Sequence, residues 1–478
     1  MAGAGLLSAR GLAWTAIAAG IAARVFTLVV RPLWADEIFT LTLARKSIPE
    51  ILAALRVDSG PPLHYLAAHL LLAPFGPLPG RADILVRVLS LVASLLHLPL
   101  LAVVARRLGR PALGLPAAAL FAIFPLAVAY AAEGRAYALA SLFVLLALER
   151  ALALGEAPRL GVGAGLSFAA AGAILTHYLA VFPVAALAIL AWDARPRSRR
   201  ALVFSGLGAA AIAAVWIPVA IAQPRASMAW SGGAGFSGAL RDFPANLAFG
   251  APAGGGAMTT FGAAGALLLA ALLARAWRGV LSPVARVLGI SLALLAAGQF
   301  AAGSLVLPER TALVFLPLAA LLLAEAPPAV PALAGTLSAA LLALWLPRAA
   351  EPSPGELLAR LLEAPARAGR LVLAAGYWGP DLDYRLARAG APGRVVLFPS
   401  AVAAHPGWYR EEEITAETLG TEAEALLASP SRPAIFVFPR GSRASAALAS
   451  RLGPAHRLFS SPLVDVVETK PAAPARIQ

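Results

Sequence analysis

The feature that most limits what this chain can fold into is a succession of apolar runs, each about as long as one membrane crossing, separated by polar loops. Such runs begin near residues 10, 84, 111, 136, 160, 178, 201, 258, 285, 311 and 329, which predicts about eleven transmembrane helices. The runs at 160–176 and 178–193 are separated only by THY, so they are either two short spans or one long kinked one. The first, GLAWTAIAAGIAARVFTLVV, has a basic residue before it, as a secretory signal does. Its length and the many runs that follow make it an uncleaved first helix. A chain of 478 residues that is 60% hydrophobic and 13% charged is too apolar for an ordinary soluble domain.

Charge placement orients the spans. The loops RRLGR, DARPRSRR and RAWRGVLSPVAR carry clustered arginine and are expected on the cytoplasmic side. The alternate loops, 32–83, the turn near 133, 223–257 and the turn near 309, then face outward. They hold Asp36, Glu37, Glu50, Asp58, Asp83, Glu133, Asp242 and Glu309, eight of the twelve carboxylates before residue 350. For Glu50, Asp83 and Asp242 simple tolerance of acids in translocated loops is explanation enough. Asp36, Glu37, Asp58 and Glu133 sit beside apolar or aromatic residues and ask for another. The formal charge of +14 is scattered over short loops, without the aromatic-interleaved patches of a nucleic-acid binder. Cysteine is absent, which excludes disulfides, thiolate metal sites and a cysteine nucleophile.

From about residue 350 the pattern changes. RLVLAAG, GRVVLFP, PAIFVFP and PLVDVVETK read as strands, with DLDYRLARAG and RASAALASRLG as helices. The expected organisation is therefore an all-α polytopic membrane domain over 1–349 and a small soluble α/β domain over 350–478, the latter outside the cytoplasm if the spans number eleven. AAGYWGPD is too loose for a nucleotide loop, and no inverted repeat of the transporter kind is visible.

The first outer loop, LWADEIFTLTLARKSIPEILAALRVDSGPPLHY, carries most of the unexplained polar chemistry. Ser47 and Glu50 have the spacing of a capping box, and Ile51, Leu52 and Leu55 share one side of the helix they would start. Gly60, Pro61 and Pro62 stop that helix. Asp36 then precedes it and Asp58 follows it. At the next outer turn, Tyr130, Glu133 and Tyr137 would line one face of a continuous helix, while Glu133 and Arg135 are spaced too closely to face each other. Glu133 is either held by an arginine of another span, such as Arg24 or Arg87, or kept for function. His177 in LTHYLAVF is either a substrate contact or a core histidine bonded to a carbonyl.

LWADE after the first span, D-x-x-PPLHY in the outer loop, RVLSLV, YAAEGRAYAL and PERTALVFLP together resemble the GT-C superfamily of membrane glycosyltransferases. The branch is that of the protein O-mannosyltransferases and the aminoarabinose transferase acting on lipid A. The resemblance covers roughly residues 10–347. It implies sugar transfer from a polyprenyl-phosphate donor, undecaprenyl in a bacterium, to a lipid, glycan or protein acceptor at the outer face of the cytoplasmic membrane. It makes Asp36 the general base of an inverting reaction, with Glu37 as its close helper or a structural neighbour. Arg310 matches the position that holds the leaving phosphate, with Arg135 and Arg56 as weaker candidates. Asp58, His64, Tyr65, Glu133, Tyr137 and His177 are the remaining expected substrate contacts. The chain departs from the pattern at Gly60, His64 and Arg56, and a divalent metal on His64, Asp58 and Asp36 is conceivable but not favoured. A transporter or flippase of a lipid-linked substrate is the alternative; it would place its polar groups at the bilayer midplane, whereas these acids sit at outer ends. A third reading, a non-catalytic scaffold, leaves the acidic motif without a purpose.

Overall fold

A computed structural model describes residues 2–58, 60–75, 79–190, 196–223, 235–250, 258–302, 308–376, 378–404, 414–429 and 433–469. Part of the expected outer loop 223–257 lies outside these residues. The chain divides into two compact units. The first takes Met1–Arg31, Ile48–Gly76 and Gly80–Ala350; the second takes Pro32–Ser47, Pro77–Pro79 and Glu351–Gln478.

In chain order the helices are α1 Ala2–Val30, α2 Ala35–Ala44, α3 Ile48–Leu55, α4 Leu63–Leu72, α5 Pro79–Arg107, α6 Gly114–Ile123, α7 Pro125–Ala131 and α8 Tyr137–Glu156. They continue as α9 Leu160–Thr176, α10 Val181–Leu190, α11 Pro196–Ala214, α12 Ile217–Ala222, α13 Gly235–Phe249, α14 Met258–Ala276, α15 Ser282–Ala302, α16 Pro308–Glu325 and α17 Ala329–Trp345. All but α2 belong to the first unit. Its core is built from the alanine-rich faces of α6, α8, α9 and α16, where small side chains let helix axes approach closely.

The span count differs from the expectation of about eleven. Among the described residues, four helical segments are long and apolar enough to cross a membrane: Ala9–Val30, Asp83–Arg107, Tyr137–Glu156 and Ala329–Glu363. The pair Pro111–Ile123 and Pro125–Ala131, bent by 67°, makes a fifth if it is one broken span. Leu63–Phe75, Leu160–Thr176 and Tyr178–Ala188 are apolar but shorter. Hydropathy sums over such breaks, whereas a helix must carry its hydrogen-bond ladder through them, and Pro125 and the extended His177 do not.

The break between α6 and α7 shows how the bundle accommodates a proline. Pro125 has no N–H to offer the Phe121 carbonyl, and the Leu126 N–H donates to Gly250 O instead of to Ala122. Two carbonyls deep in an apolar bundle are thereby released. Arg24 of α1, fully buried, donates to both, to Ala122 O at 2.5 Å and to Phe121 O at 3.2 Å. Its Nε donates to Ser94 Oγ at 3.0 Å. Two glycines make the arrangement possible. A Cβ on Gly20 would run into the Ala122 carbonyl, and Gly250, at φ +60°, passes so close to Phe124 that a Cβ would stand 2.7 Å from the phenylalanine Cβ.

The second unit is a three-layer α/β domain. Its helices are α2, α18 Pro354–Glu363, α19 Trp378–Arg388, α20 Ala401–Ala404, α21 Ala416–Ala428 and α22 Arg443–Ala449, and its strands β1 Val372–Ala375, β2 Val395–Phe398, β3 Ile435–Pro439, β4 Ala455–Ser460 and β5 Val464–Thr469. The sheet order is β2-β1-β3-β5-β4, parallel over its first three strands, with β5 antiparallel to both β3 and β4. β1 and β3 are buried on both faces, as unbroken apolar strands in a covered parallel sheet must be. Val372, Ala374, Ile435 and Val437 meet Leu358, Leu362, Leu382 and Leu386 of α18 and α19. Leu373, Ala375 and Phe436 meet Leu419, Ala423 and Leu448 of α21 and α22. The structure adds β4, α18, α20 and α21 to the elements expected from sequence. α2 packs on α19, where Arg385 pairs with Asp381 at 3.1 Å and donates to Leu33 O at 2.6 Å.

Candidate active site

Of the residues singled out from sequence, Asp36 and Glu37 belong to the second unit and the others to the first, and each group is described within its own unit. Asp36 was expected to precede a single short helix; instead it opens a helix of its own. Trp34 is extended (φ −116°, ψ 170°), and the Trp34 N–H donates to Glu37 Oε2 at 3.4 Å. Glu37 therefore closes the first turn of α2 with its own carboxylate, as the glutamate of a capping box does. It is fully buried, while Asp36 on the same turn is half-buried. Acidic groups in a first helical turn are favoured by the free N–H groups and the helix dipole.

In the first unit the turn between α7 and α8 gathers most of the remaining candidates. Tyr130, Glu133 and Tyr137 do not share a continuous helix: α7 ends at Ala131 and α8 starts at Tyr137. The chain folds back tightly, with the Arg135 N–H on the Glu133 carbonyl at 2.7 Å and Ser90 Oγ donating to the Arg135 carbonyl at 3.0 Å. The rings of Tyr130 and Tyr137 still meet edge to face at 5.3 Å. Glu133 is buried and pairs at 3.3 Å with Arg31, at the end of α1, an arginine that was not among the partners expected from sequence. Arg24 is committed to the α6–α7 break, and Arg87 donates to the Arg31 carbonyl at 2.6 Å and the Leu28 carbonyl at 3.3 Å. Arg31 was missed because a lone arginine after a span reads as an interfacial anchor.

Around this turn two arginines, two tyrosines and two histidines converge. Arg135 Nη1 donates to Tyr65 Oη at 3.2 Å, and the Arg310 guanidinium lies 5.8 Å from the centre of the Tyr137 ring. His177 packs on Tyr137 at 5.2 Å and His64 on Tyr65 at 5.7 Å. His64 Nε2 meets the Gly134 carbonyl at 3.2 Å, which makes that nitrogen the donor. The other ring nitrogen, Nδ1, is buried and has no hydrogen-bond partner among the described residues. The Leu179 N–H donates to His177 Nδ1 at 3.2 Å, so the neutral ring carries its proton on Nε2.

Burial first, then the positive charge of Arg135, pushes the His64 pKa down to about 4, against the opposing hydrogen bond to Gly134. His177 is half-buried by surface area but surrounded by protein, and burial followed by Arg135 and Arg310 pushes it to about 4 as well. Both rings are neutral at physiological pH and serve as hydrogen-bonding groups. Their lowered pKa also ties them to stability: between about pH 6.5 and 4 the unfolded chain binds protons that the folded one refuses. Stability should therefore fall as pH drops through that window, and a His64→Gln, His177→Asn double variant should lose less of its thermal unfolding temperature between pH 7 and 4.5 than the parent does.

Asp58, buried after α3, is electrostatically coupled to the Tyr178 hydroxyl. Tyr178 Oη donates to Gln223 Oε1 at 2.7 Å and accepts from Trp216 Nε1 at 2.8 Å. Gln223 Nε2 in turn donates to Leu55 O at 2.6 Å and Gly60 O at 3.1 Å, fastening the loop that carries Asp58. Sequence reading missed this relay, because a glutamine, a tyrosine and a tryptophan so far apart in the chain form no local pattern. Arg56 lies exposed on that loop. Among the described residues no group of three or more histidine, aspartate and glutamate side chains comes together as a metal site would require.

No protein-family model and no curated sequence matches the chain. Solved structures do. ArnT from Cupriavidus metallidurans, crystallised bound to undecaprenyl phosphate, superposes over 96% of this chain and 98% of its own, at 14% identity and a TM-score of 0.58. The same protein in the apo state gives 15% identity and the same coverage and TM-score. The chain has the GT-C fold. An oligosaccharyltransferase of Archaeoglobus fulgidus is more distantly similar, at 12% identity, a TM-score of 0.46, and 96% and 74% coverage. The LWADE and D-x-x-PPLHY segments lie in different compact units, 32–47 in the second and Ile48–Gly76 in the first.

Proposed function

We propose that the chain is an integral-membrane glycosyltransferase. It moves one sugar from a polyprenyl-phosphate donor to an envelope acceptor at the outer face of the cytoplasmic membrane. The observation that carries the reading is the gathering of Arg135 and Arg310 with Tyr65, Tyr137 and His177 inside a GT-C fold, one of whose solved examples holds undecaprenyl phosphate. Two guanidinium groups beside neutral imidazoles form a positive, donor-rich environment suited to a leaving phosphate whose charge grows in the transition state. In this mechanism Asp36 takes the proton of the acceptor hydroxyl as that oxygen attacks the anomeric carbon, and the configuration inverts. Glu37, already engaged in closing its helix turn, acts as a structural neighbour. Glu133 holds Arg31 and so fixes the turn that presents Arg135.

The test is a transfer assay with purified protein in liposomes and a polyprenyl-phosphate-sugar donor. Arg310→Ala should weaken productive donor use more than Arg310→Lys, because lysine keeps a point charge and loses only the bidentate fork. Wild-type activity in both variants would leave Arg310 as an interfacial anchor and sink its assignment. Orientation is open to the same directness, since the chain has no cysteine of its own. Single cysteines placed in 48–58 should react with an impermeant maleimide in spheroplasts, and those at 106–110 should react only after the membrane is opened.

A further inference from the structure

The segment that carries Asp36 is fastened by a residue almost 350 positions further along the chain. Residues 32–47 belong to the same compact unit as the residues after 350, and within it α2 packs on α19. Leu33 is buried and precedes α2, so its carbonyl lies outside the helical hydrogen-bond ladder. That carbonyl accepts from Arg385 Nη2 of α19 at 2.6 Å.

The guanidinium is divided between two tasks. Nε lies 3.2 and 3.1 Å from Asp381 Oδ1 and Oδ2, and Nη2 donates to Asp381 Oδ1 at 3.1 Å. One N–H of Nη2 is thus spent on the carboxylate, and its second reaches Leu33 O. Asp381 and Arg385 share a face of α19 at i, i+4 spacing, and their side chains are only 4% and 11% exposed. Room for the carboxylate comes from Gly355 of α18, where a Cβ would collide with Asp381 Oδ2.

Stability alone does not ask for this arrangement. Taking both charges out of water costs much of what their attraction returns, so a buried pair gains little over apolar side chains of the same volume. What it supplies is direction: a fork clamped on Asp381 has its remaining N–H fixed in space. Two further bonds, from the Trp34 N–H to Glu37 and from Thr40 Oγ1 to the Asp36 carbonyl at 3.0 Å, are made inside the segment. They shape the first turn of α2, whereas Arg385 sets where that turn stands against α19.

We propose that the α/β domain positions the transfer base, with Arg385 as the positioning residue that holds Asp36 through the Leu33 carbonyl; this rests on the assignment of Asp36 as that base. Asp36 follows Leu33 by three residues, so a shift of the carbonyl is passed to the carboxylate through a short, turn-locked stretch of backbone. A general base must stand within hydrogen-bond reach of the proton it takes. Misplacing such a group by about 1 Å costs about a hundredfold in rate. Asp381 acts one step further back, by fixing the fork.

In the liposome transfer assay with full-length protein, Arg385→Gln should lower kcat by about tenfold to a hundredfold and leave the donor KM within about twofold. In an Asp36→Asn background the same change should cost less than about twofold more, because no base is left to misplace; losses that multiply would place the action of Arg385 elsewhere and overturn the proposal. Arg385→Gln strands the buried Asp381, so the paired change Asp381→Leu, Arg385→Met is the second variant: it leaves no buried charge, should fold, and should lose rate to the same extent. Hydrogen exchange reads the clamp without any activity. The Glu37 and Ile38 amides, bonded to the Trp34 carbonyl at 3.0 and 3.1 Å, should exchange faster in both variants while those of α8 stay unchanged. Parental kcat in the folded paired variant overturns the proposal, and so does unchanged exchange at those amides. A parent that transfers no sugar, or a folded Asp36→Asn protein that transfers at the parental rate, removes the assignment of Asp36 instead; the proposed role then falls with it, and the exchange measurement still decides whether Arg385 holds the segment.

Discussion

Replacing Asp36 by asparagine is expected to lower sugar transfer by about a hundred- to ten-thousand-fold, the range for loss of a positioned general base. Asparagine keeps the size and most of the hydrogen bonding of aspartate and removes only the proton-accepting charge. Asp36 is half-buried on the first turn of α2, and the turn itself is closed by Glu37 and not by Asp36, so the helix should survive the change. Glu37→Gln makes the contrast. An amide oxygen can still accept from the Trp34 N–H, so this variant should fold and retain far more activity than Asp36→Asn. The measurement is initial transfer rate at saturating donor, beside folded fraction by size exclusion. A well-folded Asp36→Asn protein transferring at the parental rate would remove Asp36 from the chemistry.

Arg24→Ala is expected to have the largest effect on stability. The Pro125 break leaves the Phe121 and Ala122 carbonyls without their helical donors, and the Arg24 guanidinium supplies both. Each buried carbonyl left bare costs about 1–3 kcal/mol, so the substitution should cost roughly 2–6 kcal/mol before the lost side-chain packing is counted. Arg24→Lys should fall between, because one ammonium cannot serve two carbonyls and Ser94 with the geometry of a planar fork. Thermal unfolding in a fixed detergent separates the three proteins. Equal midpoints for Arg24→Ala and the parent would mean that water or another donor reaches those carbonyls. A second-site change of Pro125 to alanine should relieve part of the penalty, since it restores a donor to Phe121.

What could be read from the sequence was whatever depends on neighbours along the chain. Apolar runs of membrane length announced a helical bundle, and alternating short strands and helices announced the α/β tail, because periodicity of side chains is a local property. The strands at Val372–Ala375 and Ile435–Pro439 were legible as unbroken apolar runs for the same reason. Ala455–Ser460 was not, since a largely exposed edge strand such as AHRLFS carries no apolar period. The number of complete spans was legible only in outline: a hydropathy sum does not register that Pro125 and His177 interrupt the backbone ladder.

Partner choice was settled in three dimensions. Glu133 took Arg31 because Arg24 was already required by carbonyls that a proline had released, and nothing in the local sequence of either residue states that demand. Trp216, Tyr178 and Gln223 became one relay, and Arg135 met Tyr65, through packing of segments far apart in the chain. The segment 32–47 joined the compact unit formed by the residues after 350, although a linear reading attaches it to the first span. The sequence by itself determined which chemical groups the protein has and which short elements carry them. Which of those groups meet was decided by the tertiary structure, because buried charges and unpaired backbone groups are satisfied by whatever the fold brings within hydrogen-bonding reach, irrespective of distance along the chain.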